Sequence, residues 1–284
     1  MPSSDPGARR AAFRRLHESG CFVIPNPWDV GTARYLRHLG FKALATTSAG
    51  FSFSRGLPDA DGDLPRDAAL AHIAEIVAAT DLPVNADYEA GYAHDAEGVA
   101  HNVRLCVETG IAGLSIEDAT GDRDKPLYDL GHAVERIRAA RQAIDASGAD
   151  VMLTARAECH LVGHPDPLNE SIRRLQAYAE AGADVLYAPG PGTRDDIKTI
   201  VDAVAPKPVN VLMSRNVGLD VADVAALGAR RISVGSSLNR AAWGAFIDAA
   251  RLIADTGSFA GLDRAVAFDE LNAFFRRDLK DRSA

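Results

Sequence analysis

The stretch Pro-Val-Asn-Ala-Asp-Tyr-Glu-Ala-Gly-Tyr, residues 83–92, decides how this chain is read. It has the pattern of an apolar strand that ends in two carboxylates, Asp87 and Glu89, spaced i, i+2. On a strand that spacing points both side chains to one face. A second strand, 113–116, runs into Glu117 and Asp118. Neighbouring strands that finish in acids concentrate negative charge, which is costly unless a cation neutralises it. A hard divalent ion is the economical explanation: Mg2+, with Mn2+ as the alternative.

Working outward, apolar runs recur at 21–25, 43–47, 82–86, 113–116, 151–155, 185–188, 209–212 and 231–234. Amphipathic stretches separate them, at 30–38, 65–80, 96–109, 132–147, 167–181, 193–204, 221–227 and 241–255. Eight strands alternating with eight helices imply parallel pairing through right-handed crossovers. Strands apolar nearly throughout suit burial on both faces. The count and the length of 284 residues predict an α/β fold, a (β/α)8 TIM barrel. A doubly wound sheet is the alternative, but no Gly-x-Gly-x-x-Gly follows the first strand. Gly110, Gly182 and Gly228 stand where helices need a left-handed C-cap before the next strand. No linker divides the chain, so 1–284 reads as a single domain. Within it, 1–20 holds an N-terminal helix and 257–284 a C-terminal helical extension, whose last helix spans 268–278.

Composition narrows the function. A net charge of −8 and a pI near 5.5 argue against nucleic-acid and anionic-membrane partners. No apolar run reaches the length of a membrane span. Residues 1–15 lack the apolar centre of a secretory signal, and Arg9, Arg10, Arg14 and Arg15 read as the solvated face of a first helix. Cys21, Cys106 and Cys159 are odd in number and far apart, which suits a reducing cytoplasm.

In a parallel barrel the residues at the strand C-termini form the site. Here they are Asn26, Trp28 and Asp29; Thr46, Thr47 and Ser48; Asp87 and Glu89; Glu117 and Asp118; Arg156 and Glu158; Asn210; and Gly235 to Ser237. One arginine therefore faces many acids. Arg156 has a planar fork suited to a small anionic substrate that also chelates the metal. Pairing with Glu117 or Glu158 alone is its competing reading. Thr46, Thr47 and Ser48 could donate to an oxyanion, or serve only as turn residues. Gly235 to Ser237, opening a helix, is a weak phosphate signal. The long connections 48–65 and 118–130 lie on this rim, and the polar 118–130 reads as a mobile lid. A Schiff-base aldolase is excluded because Lys42 and Lys207 stand at strand starts, the wrong end. No nucleophile elbow is present for a Ser-His-Asp hydrolase.

Taken in order, these pieces resemble the isocitrate lyase / phosphoenolpyruvate mutase superfamily. Asn26-Pro27-Trp28-Asp29, Thr47-Ser48-Ala49-Gly50, Gly56-Leu57-Pro58-Asp59, Asp87-x-Glu89-x-Gly91-Tyr92, Ser115-Ile116-Glu117-Asp118 and Ala155-Arg156-Ala157-Glu158 carry the resemblance. It implies a homo-oligomeric barrel, dimer or tetramer, whose eighth helix is swapped between subunits. It also implies Mg2+ contacted by Asp87, with Glu89 and Glu117 holding it mostly through water. Arg156 would clamp the carboxylate of a small-molecule substrate, with Thr47, Ser48, Trp28 and Asn210 completing the binding set. Asp59, Glu117, Lys125 and Arg156 would form the catalytic set. In two places the chain departs from the family's pattern. Glu89 stands where Asp is commoner. The lid 118–130 lacks the cysteine that gives the proton in isocitrate and methylisocitrate lyases. Lys125 matches the lid lysine of the phosphonopyruvate enzymes, whose lid asparagine is missing here. The expectation is a Mg2+-dependent lyase or decarboxylase that cleaves a C–C bond of a small 2-oxo or 2-hydroxy dicarboxylate through an enolate. The alternatives are a phosphonopyruvate-type P–C enzyme, or a catalytically reduced 2-oxo-acid binder.

Overall fold

Strand and helix alternate as the spacing requires. The computed structural model describes residues 5–59 and 63–283. Residues 1–4 of the expected N-terminal helix, 60–62 of the second connection and 284 lie outside the described residues. The strands are β1 (Phe22–Ile24), β2 (Leu44–Ala45), β3 (Val84–Asp87), β4 (Gly113–Glu117), β5 (Met152–Arg156), β6 (Val185–Tyr187), β7 (Val209–Leu212) and β8 (Arg231–Ser233). The helices are α1 (Pro6–Leu16), α2 (Val30–His38), α3 (Ser48–Ser54), α4 (Arg66–Ala79), α5 (Ala96–Glu108), α6 (Leu130–Ala146), α7 (Pro167–Glu180), α8 (Arg194–Ala203), α9 (Val221–Ala226), α10 (Ser237–Thr256) and α11 (Phe268–Ser283). Every strand pair is parallel, in the order β1-β8-β7-β6-β5-β4-β3-β2. Ala45 N–H donates to Pro25 C=O at 3.0 Å and closes the gap between β1 and β2. The result is a (β/α)8 barrel.

The strands are not apolar on both faces. Leu44, Val84, Leu114, Ile116, Leu153 and Leu186 join the main core with residues of the surrounding helices. The alternate positions carry Asn85, Ser115, Thr154, Asn210, Arg231 and Ser233, which are polar and buried. Period-two alternation thus separates a greasy outer face from a polar interior. The expected C-caps hold: Gly110, Gly182 and Gly228 have φ of 87°, 103° and 95°.

Of the N-terminal arginines, Arg15 is exposed as expected, but Arg9 and Arg10 are not part of a solvated face. In a parallel barrel the helices end at the bottom, leaving orphan carbonyls there. Arg9 Nη1 donates to Val77 and Thr80 C=O at 3.2 and 3.3 Å, at the end of α4. Arg10 donates to Val107 and Ile111 C=O at 3.3 and 3.0 Å, at the end of α5. Helix α1 lays Phe13 (0% exposed) on Ile24, Ala43, Ala45, Ala112, Met152 and Val185. The bottom of the barrel is therefore stoppered by an apolar plug with a basic collar. Residues from Leu238 onward form a second compact unit, with a short 3-10 turn, Ala260–Arg264, between α10 and α11. Among the described residues no helix is long and apolar enough to cross a membrane.

Candidate active site

A cavity of about 950 Å³ opens at the C-terminal ends of the strands. Asp59, Asp87, Glu89, Glu117, Arg156 and Glu158 all line it. Arg156, at the end of β5, is the centre. Its Nη1 lies 2.8 Å from Asp87 Oδ1 and 3.0 Å from Glu117 Oε2, and its Nε lies 2.9 Å from Glu158 Oε1. Strand register explains the meeting, because Glu117 and Arg156 are paired across β4 and β5. Tyr187, paired with Arg156 across β5 and β6, holds its ring 5.2 Å from the guanidinium carbon. Both competing readings of Arg156 are thus partly realised: it bridges acids, and it faces the cavity.

One cation does not balance this many acids. Burial, with Glu158, Asp87 and Glu89 nearby, raises the Glu117 carboxyl well above its ordinary range although Arg156 opposes the shift. Burial, with Asp87 and Asp59 nearby, pushes Glu89 up to about 7. Burial alone would lower the Arg156 guanidinium, but Glu117, Glu158 and Asp87 outweigh it and raise it well above its usual value.

Glu89 reaches the cavity by a route that strand alternation does not provide. Strand β3 stops at Asp87, and Glu89 has φ of 45°, in the left-handed region. Its carbonyl accepts from Glu117 N–H at 3.0 Å, which extends the β3–β4 contact by one rung. Gly91 is required in the same turn: at φ 76°, an added Cβ would lie 3.3 Å from Ile116 and Val99. Tyr92 also has positive φ, and its buried hydroxyl lies beside Glu89 without a well-aligned hydrogen bond. Two strained non-glycine residues in one turn mark a functional site more often than a structural one.

The hydroxyl residues after β2 line the cavity and also make hydrogen bonds within the protein. Ser48 donates to Asp87 Oδ2 from its N–H at 3.0 Å and its Oγ at 3.1 Å. Thr46 Oγ1 accepts from Asp87 N–H at 2.9 Å. Thr47 Oγ1 accepts from Gly50 N–H at 3.1 Å and caps α3, a helix inside the connection read as loop. Ser48 and Thr46 thus aim Asp87. Asn210 is buried with its amide engaged, accepting from Arg231 Nε at 2.8 Å and donating to Ser233 Oγ at 2.9 Å. Trp28 and Lys125 do not line the cavity, whereas Arg123, two residues before Lys125, does. Asp29 is the N-cap of α2. Asp118 turns away from the cluster, accepting from Glu158 N–H at 2.8 Å and from Arg174 Nη1 at 3.0 Å. The lid is a short hairpin, with Ala119 bridged to Leu127 and Tyr128 N–H donating to Asp118 C=O at 3.0 Å. Gly235 and Ser236 line the cavity, while Ser237 Oγ donates to Ser214 C=O at 2.9 Å.

Several lining residues were not anticipated: Tyr92, His94, Arg123, Tyr128 and Tyr187, whereas Glu158 stands on the rim as expected. Only Tyr92 carried a signal, inside the paired-acid motif. Among the described residues no group of three or more His, Cys, Asp and Glu stands at metal-ligand spacing. A divalent ion here would be held by one or two carboxylates with water completing its shell, and not by an all-protein cage. Raised carboxyl pKa values are what such acids show without a second cation.

A parallel barrel with an acid cluster and an arginine at its C-terminal mouth defines a class of enzyme scaffold whose chemistry is directed at small anions. Residues 13–254 match the phosphoenolpyruvate phosphomutase family. The chain belongs to that family, within the PEP mutase/isocitrate lyase superfamily. An uncharacterised protein of Mycobacterium tuberculosis is 32% identical over 92% of this chain and 95% of its own length. The 2-methylisocitrate lyase of Escherichia coli is 34% identical over 66% of this chain and 63% of its own. The crystal structure of a candidate lyase/mutase from Burkholderia cenocepacia superposes with a TM-score of 0.91 at 49% identity, covering 95% of this chain and 97% of that one.

Proposed function

We propose that this protein is a divalent-metal-dependent lyase or decarboxylase that cleaves a C–C bond of a small 2-oxo or 2-hydroxy dicarboxylate. The observation that carries the reading is Arg156 set among Asp87, Glu117 and Glu158 at the mouth of the barrel. Asp87, Glu89 and Glu117 would hold Mg2+, or Mn2+ in its place, which when bound supplies Lewis-acid polarisation of the 2-oxygen. Arg156 offers a fixed positive charge to the substrate carboxylate, which competes with the acids that now share the guanidinium. Ser48 and Thr46 keep Asp87 in one orientation throughout. Asp59 adds negative charge beside Glu89, and the lid hairpin, with Arg123 and Lys125 near its tip, shields the reacting carbon from water.

The family's own name favours a second reading. The phosphomutase match keeps a phosphonopyruvate-type P–C enzyme in view, and a 2-oxo-acid binder without turnover is the third outcome. Oxaloacetate, 2-methylisocitrate, 2,3-dimethylmalate and phosphonopyruvate, each with Mg2+ and with EDTA, separate the three. Mg2+-dependent release of a carboxylic acid or CO2 from a carbon substrate supports the lyase. Turnover of phosphonopyruvate alone selects the P–C enzyme. Binding of oxalate without any turnover selects the binder. We also propose a cytoplasmic homo-oligomer, dimer or tetramer. All three cysteines are free, and α10, α11 and their connection expose Trp243, Phe246, Phe259 and Phe268. Sedimentation that returns only the monomer mass rejects the oligomer.

A further inference from the structure

We propose that Tyr128, resupplied by His94, is the acid that protonates the carbon released on cleavage; this rests on the lyase reading above. A lyase must deliver a proton to that carbon, and the lid has no thiol to do it. None of the three cysteines lines the cavity. Cys106 and Cys159 are buried.

The other tyrosines of the cavity are poorly placed for the task. Tyr187 lies against Arg156, and burial pushes its hydroxyl up to about 12. The Tyr92 oxygen is buried beside Glu89, an acid already assigned to the metal, and makes no well-aligned hydrogen bond. Burial raises the Tyr128 hydroxyl too, with Arg136 opposing, but Tyr128 has what the other two lack, a partner open to solvent that can return a proton. It and His94 line the same cavity as Asp87 and Arg156. Its hydroxyl is 2.6 Å from His94 Nδ1, and the imidazole is exposed to solvent.

The fold brings this pair toward the acids. The return arm of the lid hairpin sets Tyr128 opposite Asp118, the residue after Glu117, through the Tyr128 N–H to Asp118 C=O bond. The Arg136 guanidinium carbon lies 4.0 Å from the centre of the Tyr128 ring, and Arg174 Nη1 donates to Tyr128 C=O at 2.9 Å. His132 Nε2 donates to His94 C=O at 2.8 Å and holds the facing loop. The charged and titratable groups around Tyr128 are therefore His94, Asp118, His132, Arg136 and Arg174; Asp118 is paired with Arg174, and Arg136 favours the phenolate that forms.

The step balances. The enolate C=C pair takes the Tyr128 hydroxyl proton and becomes a C–H bond, while the enolate oxygen regains its C=O. The phenolate then takes the Nδ1 proton of His94, and the imidazole recovers a proton from water. The sum is one enolate plus one solvent proton giving one carboxylic product.

The test is turnover in D2O of whichever carbon substrate the intact protein cleaves, with Tyr128→Phe and His94→Gln beside it. Phe keeps the ring under Arg136, and thermal unfolding together with oxalate affinity checks each variant. The wild type is expected to place one deuterium, in a single configuration where the labelled carbon is a CHD centre, as from 2-methylisocitrate or 2,3-dimethylmalate; for a methyl product the rate alone decides. Y128F is expected to lose at least about 10²-fold in kcat with oxalate affinity unchanged, and to label without configurational preference. H94Q is expected to slow turnover in the same direction while keeping the configuration. If Y128F unfolds, H94Q alone decides. A variant as fast as wild type, with the same label, overturns the proposal and leaves the lyase reading standing. A wild type that cleaves none of the acids overturns the lyase reading, and this inference with it.

Discussion

The two ends of the barrel use the same residue types to opposite effect. At the bottom, Arg14 meets Asp150 and Asp184, and Arg141 meets Asp184. Two arginines serve three acids there, Asp145 included, but Asp150 is about half exposed and Asp145 more so, and the Asp150 carboxyl is held below the usual range by its hydrogen bond with Arg14. At the top, Arg156 is shared by three acids, Glu158 buried and Asp87 and Glu117 partly so, and Glu117 and Glu89 are pushed up. The bottom is electrostatically settled. The top is short of positive charge, and that shortage is what a metal and a substrate anion would exploit.

Breaking the top should cost most. Asp87→Ala is expected to lower kcat/KM by about 10²–10³-fold or more and to abolish the response to Mg2+, read by titrating the metal against initial rate. Full activity in this variant would remove the basis for the acid cluster as the site. At the bottom, Phe13→Ala should cost about 3–5 kcal/mol in stability by denaturant unfolding, with the oxalate affinity of the folded protein unchanged. A loss of affinity there would mean that the two ends are coupled. Arg156→Ala is expected to weaken oxalate binding by roughly 2–5 kcal/mol in calorimetry, because it also leaves Asp87, Glu117 and Glu158 without their cation.

Smaller effects sharpen the contrast. Glu89 has a folded pKa of about 7, above its ordinary 4.5. The folded state therefore keeps a proton that the unfolded state gives up. Its contribution to stability is fully present below about pH 4.5 and is lost as pH rises through about 7. In Mg2+-free protein, Glu89→Gln should unfold with the wild type at low pH and at a higher temperature than the wild type at pH 8. Equal melting at pH 8 would show that Glu89 bears no such penalty. Arg14→Ala should be the mildest, about 0.2–1 kcal/mol and reduced by salt, since both partners are substantially exposed.

Much of this protein was legible in the chain. The eight strands and the helices between them fall within a few residues of their expected places, because apolar periodicity and glycine caps are local signals. Asp87, Glu117, Glu158 and Arg156 were legible as rim residues for the same reason: each stands at the end of an apolar run. The short helix α3 was hidden in a Gly- and Ser-containing connection that lacks a long amphipathic pattern. The role of the N-terminal arginines was hidden because their partners are backbone carbonyls of α4 and α5, more than sixty residues away.

By itself the sequence determined the parallel barrel, the identity of the acids at its mouth and the family to which they point, since these depend on residue order and period. Only the tertiary structure decided who serves whom. Ser48 orients Asp87, one guanidinium is shared among three acids, Glu89 enters through a left-handed turn, Asp118 faces away, and Tyr128 meets His94. The reason is geometric. Which neighbours a strand end meets is fixed by register and closure of the barrel, and those are settled across strands far apart in the chain.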